Sequence, residues 1–155
     1  MGRLDRSERP RREPPMPHRP AVHLAVPVDD LAAARHFYGQ VLGLPEGRST
    51  DHWVDWDFEG HQLVTHLVAT APRPTGTSEV DRHTVPIPHF GLLLTEERFH
   101  EFAQRLRAAG VRFDIEPYRR FAGEPAEQWT MFFRDPAGNA LELKSFRDES
   151  MVFAR

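Results

Sequence analysis

Ala21 to Leu44, AVHLAVPVDDLAAARHFYGQVLGL, begins as a short apolar run and continues as an amphipathic one, and the change of period between them decides the fold. Ala21 to Val28 read as a buried strand, after which Asp29 and Asp30 supply an N-cap and a negative first turn. Leu31, Ala34, Phe37, Tyr38, Val41 and Leu42 then recur at three- and four-residue spacing, one face of a helix that Gly43 and Pro45 stop. Downstream, Trp53 to Phe58 and His61 to Ala69 are β-rich runs joined across Glu59-Gly60, a hairpin signal. A weakly marked strand is expected between Arg48 and Asp51.

The same order then returns. Pro88 to Leu94 (PHFGLLL) reads as a strand, and Thr95 caps a helix that opens with Glu96 and Glu97. Phe99, Phe102, Ala103, Leu106 and Ala109 form its apolar stripe and Gly110 ends it. Val111 to Ile115, Trp129 to Arg134 and Asn139 to Phe146 are expected strands, the last two joined by the turn Asp135-Pro136-Ala137-Gly138. Strand, helix and three strands, twice, predict an α+β fold of two tandem βαβββ modules, over 21–70 and 87–148. Residues 71–86, rich in Pro, Thr and Gly and without periodicity, read as a linker, and 149–155 as a tail.

Outside this single domain of 21–155, residues 1–20 hold five prolines and six arginines with almost nothing to bury, and are expected to be a disordered basic arm. Met16 is a candidate natural start. No run has the length and apolarity of a signal peptide's core or a membrane span, so a cytoplasmic protein is expected. The net charge of −3 is mild and the bases outside the arm are interleaved with acids, which argues against nucleic acid as a partner. There is no cysteine, so any metal must be held by His, Asp or Glu.

Strand parity selects among those. Bulky Val22, Leu24 and Val26, then Phe90, Leu92 and Leu94, then Leu141 and Leu143 suit the helix-covered faces of their strands. His23, His89 and Glu142 therefore fall on the opposite faces, expected to line a cavity cupped by the mixed sheet. Two imidazoles and one carboxylate fill one face of a six-coordinate ion and suit non-haem Fe(II); Mn, Zn, Ni or Co could use the same donors. His66 shares parity with Gln62 and Val64 and is the candidate general base. The loop expected from Glu116 to Gln128 is long enough to be a lid or binding segment, and offers Tyr118, Arg120 and Glu127 as substrate contacts.

The runs VHLAVPVDDLAAARHFYGQVLGL, PHFGLLL and FFRDPAGNALELKSF, the last with a D-P-x-G-x-x-x-E signature, resemble the vicinal-oxygen-chelate superfamily of glyoxalases, bleomycin-resistance proteins and extradiol dioxygenases. GHQLVTHLV and EPYRRFAGEPAEQWTMFF look closer to a subgroup of predicted extradiol-type dioxygenases. The resemblance implies metal ligands at His23, His89 and Glu142, and a proton-handling His in the region of His66. Phe132, a further candidate substrate contact, stands where extradiol enzymes usually carry an acid/base Tyr; the glyoxalases' fourth ligand, a Glu, would fall at Val64. A metal-dependent, dioxygenase-like enzyme is therefore expected, forming a homodimer, whose small substrate chelates the ion through neighbouring oxygens, with O₂ as a second substrate. The alternatives are a glyoxalase-type lyase or isomerase, and a drug-binding resistance protein without turnover.

Overall fold

In the computed structural model, residues 20–73 and 75–155 are described; apart from Pro20, the expected basic arm and the Met16 start lie outside them. Each half of the chain builds a four-stranded mixed sheet. In the first half, β1 (His23–Val28) runs parallel to β4 (His61–Leu67), which continues antiparallel to β3 (Trp53–Phe58) and β2 (Glu46–Ser49). In the second, β7 (Phe90–Leu93) runs parallel to β10 (Ala140–Phe146), followed by β9 (Gln128–Arg134) and β8 (Phe113–Arg120). The two βαβββ modules expected from the repeat are present.

The connecting helices start where the side chains provide caps. Asp30 accepts from the Ala33 amide and opens α1 (Leu31–Ala34), and Thr95 accepts from the Arg98 amide at the start of α2 (Glu96–Ala108). Glu96 and Glu97 in the first turn of α2 and Arg105 and Arg107 in its last complement the helix dipole. The first helix differs from the expected α-helix beyond Ala34. From Arg35 to Val41 it widens into a π-helix, closed by the Leu42 amide donating to the Phe37 carbonyl. Phe37, Tyr38, Val41 and Leu42 of this wider turn all reach the core.

Two segments depart from the sequence expectation. The linker is not aperiodic: β5 (Gly76–Val80) and β6 (His83–Ile87) form a two-stranded hairpin. Its turn residues Asp81 (φ 48°) and Arg82 (φ 65°) both adopt the left-handed conformation that suits the twist of a tight hairpin. Asp-Arg is an uncommon pair there, and Pro86 in the second strand further disguises it. The loop expected to begin at Glu116 instead starts at Phe121, because β8 continues through Pro117 with register shifts on either side of Ile115. Tyr118 and Arg120 are consequently strand residues.

The helix-facing side chains of both modules merge into one core. Phe37 packs on Phe133 with ring centroids 6.2 Å apart, and Phe58 on Phe90 at the same separation. A buried polar cluster joins the halves: Tyr38 Oη donates to Asp135 Oδ2 at 2.7 Å, and Asn139 Nδ2 donates to that oxygen at 2.7 Å and to the Pro27 carbonyl at 2.8 Å. Burial, then the neighbouring Asp135 carboxylate, pushes the Tyr38 phenol well above its ordinary range. Because the two helix-covered faces share this core, the opposite faces of the two sheets turn away from it.

Candidate metal centre

Glu142 lies in the middle of β10, flanked by Gly91 of β7 and Phe132 of β9. The approach of β7 is so close that a Cβ at position 91 would collide with the Glu142 carbonyl, so glycine is required there. On the outward face of this sheet, Glu142 Oε2 is 3.0 Å from His89 Nε2 and Oε1 accepts from Thr130 Oγ1 at 2.7 Å. Lys144 Nζ stands 3.8 Å from Oε1. The other ring nitrogen, His89 Nδ1, is 2.7 Å from the Pro86 carbonyl.

A carbonyl only accepts, so Nδ1 carries a proton, and Nε2 is the ring nitrogen that faces the carboxylate oxygen. Two lone-pair groups do not rest 3.0 Å apart unless a proton or a cation sits with them. A proton on Nε2 would make the contact an ion pair; a metal ion suits the same two donors, with Pro86 and Thr130 as the outer groups that orient an imidazole and a carboxylate for one. Phe132 closes one side with its ring edge-on to His89, centroids 5.1 Å apart.

These groups line a cavity of about 190 Å³, with Tyr118 and Arg120 on its wall and Val80 and Val85 of the hairpin as its roof. Tyr118 is held above the usual phenol range, by burial first and then by the Asp81 and Glu142 carboxylates, against the opposing pull of Arg120. Arg120 is ion-paired with Asp81 at the hairpin turn, and His83 stacks on Tyr118 at 4.7 Å. Asp81 and His83 carry no signal in the sequence that marks them as site residues. Strand alternation could have found two others, Lys144 on the face of Glu142 in β10 and Thr130 on the face of Phe132 in β9.

His23 occupies the outward face of the other sheet. It is exposed, with Nδ1 2.7 Å from Gln62 Oε1; with the amide oxygen accepting, Nε2 is left open. Among the described residues, no three His, Asp or Glu side chains of one chain come close enough to hold an ion. One chain thus brings His89 and Glu142 together with Tyr118, Arg120 and Phe132, and leaves His23 apart. His66, the expected general base, is exposed at the far end of β4 opposite Pro27. That is four residues, about 13 Å, beyond the His23 position, and it lines no part of the cavity. Glu127, expected as a substrate contact, is turned into its own loop: it accepts from the Gly123 amide at 2.6 Å and faces Arg119 and Arg147 at 3.6 and 3.7 Å. The Gly123 amide, with the two guanidinium groups, holds its carboxyl below the usual range. Its role is to fix the loop.

No helix among the described residues is long and apolar enough to cross a membrane. A family model described as the Glyoxalase/Bleomycin resistance protein/Dioxygenase superfamily matches residues 21–143. Among solved structures, a glyoxalase/bleomycin resistance protein/dioxygenase from Alicyclobacillus acidocaldarius is 31% identical, over 89% of this chain and 100% of that one, with a TM-score of 0.71. The fosfomycin resistance protein FosX from Listeria monocytogenes (18% identity, 83% of this chain and 93% of that one, TM-score 0.63) has the same fold. So does a glyoxalase family protein from Bacillus anthracis (17% identity, 84% and 97%, TM-score 0.61). No curated protein matches the sequence. The repeated modules, the outward-facing His89–Glu142 pair and the family match over most of the chain together place this protein in the glyoxalase/bleomycin resistance/dioxygenase superfamily.

Proposed function

We propose that this chain is a metal-dependent enzyme whose active site is completed between two copies: His89 and Glu142 from one, His23 from the other, around one divalent ion. The observation that carries the reading is the His89–Glu142 pair, 3.0 Å apart, with both groups oriented from behind by hydrogen bonds. His23, exposed on a sheet face that the described residues leave open, supplies the third donor. The bound ion would act as a Lewis acid toward a substrate that chelates it through neighbouring oxygens.

The protein's own groups account for the rest of the chemistry. Tyr118 keeps its proton at neutral pH and donates a hydrogen bond to a developing oxyanion. Phe132, Val85 and Ile115 form the cavity's apolar wall and exclude water beside the chelating oxygens. The volume of about 190 Å³ restricts the substrate to a small molecule. Among the described residues, the cavity lining offers a phenol and an ammonium but no imidazole besides His89, which favours a redox-neutral lyase, isomerase or epoxide-opening reaction. The two-His, one-carboxylate donor set favours an Fe(II)-dependent dioxygenase as the second reading.

Metal analysis of protein purified without oxygen, followed by a panel of hydroxy-ketones, catechols and fosfomycin with oxygen uptake monitored, tests the proposal. Metal-dependent turnover without oxygen uptake is the expected result, and uptake with a catechol moves the assignment to the dioxygenase. Tight ligand binding with neither metal nor turnover would make the protein a sequestering one.

A further inference from the structure

We propose that Arg120 is the docking point for an oxyanion group of the substrate, and that Asp81 occupies it as an internal stand-in until that group arrives. The inference rests on the cavity beside His89 and Glu142 being the substrate site, and it names the substrate class: a small molecule carrying a carboxylate, phosphate or phosphonate.

Arg120 projects from β8 into the cavity with its side chain only 13% exposed. A nearly buried guanidinium needs a carboxylate or an equivalent partner. Its partner comes not from the sheet but from Asp81, 39 residues away, at the turn of the hairpin that roofs the cavity. That roof is separable. Among the described residues its two strands hydrogen-bond only with each other as a sheet, and Val80 and Val85 pack on Ile115, Phe132 and Tyr118 in a small cluster distinct from the main core.

The remaining donors suit an anion as well. Among the described residues, Lys144 has Glu142 as its only carboxylate neighbour, at 3.8 Å, and the Tyr118 hydroxyl sits in the same cavity. With Arg120 and Lys144 set against Glu142, the lining carries a net positive charge once Asp81 withdraws, and a cavity wall of low polarity strengthens that attraction. An entering oxyanion replaces Asp81 at Arg120 and frees the hairpin turn. The hairpin also contains Pro86, whose carbonyl orients His89, so the anion site and the imidazole are joined through one piece of backbone.

The test is a titration of the full-length, metal-free protein with inorganic phosphate and with acetate, using acetamide as the uncharged control. Binding is read from the methyl resonances of Val80 and Val85, and hairpin opening from hydrogen exchange at residues 77–85. Asp81→Asn vacates Arg120 and is expected to bind phosphate about two- to fivefold more tightly than wild type, the worth of one partly exposed ion pair. Its hairpin should exchange faster before any anion is added. Arg120→Gln should lose the response, and Arg120→Lys, which keeps the charge and guards against a folding defect, should retain part of it. Equal phosphate affinity in wild type and Asp81→Asn overturns the proposal, as does an unchanged response in Arg120→Gln or no binding to any variant. Because the titration is done without metal, anion binding in a protein that never takes up metal would overturn the metal reading alone, and metal uptake without anion binding this one alone.

Discussion

If the metal centre is shared between two copies, two proteins that are each unable to bind the ion should restore it when mixed. His23→Ala removes the donor that a chain contributes to its partner, and Glu142→Ala removes one that it keeps for its own half-site. Either homodimer lacks a donor at both sites. In a mixed dimer, the two-fold relation pairs the intact His89–Glu142 half of the first variant with the intact His23 of the second, and pairs the two defects in the other site. Equal mixing and reassociation makes about half of the dimers mixed, each with one whole site of two, so metal content should recover to about a quarter of the wild-type value. The assay is elemental analysis of the dimer peak after gel filtration, with native mass spectrometry confirming that mixed dimers formed. Mixed dimers without metal would refute the shared site, and so would wild-type metal affinity in His23→Ala alone.

Thr130→Val keeps the shape of a buried side chain but withdraws the 2.7 Å hydrogen bond to Glu142 Oε1, and should weaken metal binding about 10- to 100-fold in a calorimetric titration. Gly91→Ala sets a methyl against the Glu142 backbone and should cost at least about 3 kcal/mol, seen as a large fall in Tm or loss of soluble protein. Tyr38→Phe removes a buried donor to a carboxylate and should cost about 1.5–3 kcal/mol in denaturant unfolding. Glu127 has a lowered carboxyl pKa in the folded state, so its contribution is complete above the ordinary carboxylate range and is lost as the pH falls through the folded value. The stability difference between wild type and Glu127→Gln, followed by thermal melts across pH, should be flat near neutrality and vanish in acid.

Periodicity carried most of the architecture. The stripes of the two helices, the parity of β1, β7 and β10 and the Asp135–Gly138 turn lie where local spacing put them, because each buries one face against a single core, except at the ends, where Val22 and Ala109 are exposed. What escaped was of two kinds. The hairpin and the extension of β8 were hidden by residues that usually break strands, Pro86 and Pro117, tolerated at a free-standing hairpin and at a shifted register. The second kind is more general. Parity says which face of a sheet His23 occupies but not what that face looks upon, and among the described residues His23 does not join His89 and Glu142 in one cluster. His66 shows the same limit along the strand: correct side, wrong distance.

Tyr38, Asp135, Asn139 and the Pro27 carbonyl give the duplicated architecture a consequence for how the chain can be cut. The turn that closes the last hairpin is also the joint that receives the first helix and the first strand, so the donors and acceptors of each repeat are satisfied by the other. Severed between its repeats, the chain would leave a buried acid without its phenol on one side and a strand carbonyl without its amide on the other. The halves look alike, yet neither is a self-sufficient folding unit; they are autonomous in pattern and interdependent in chemistry.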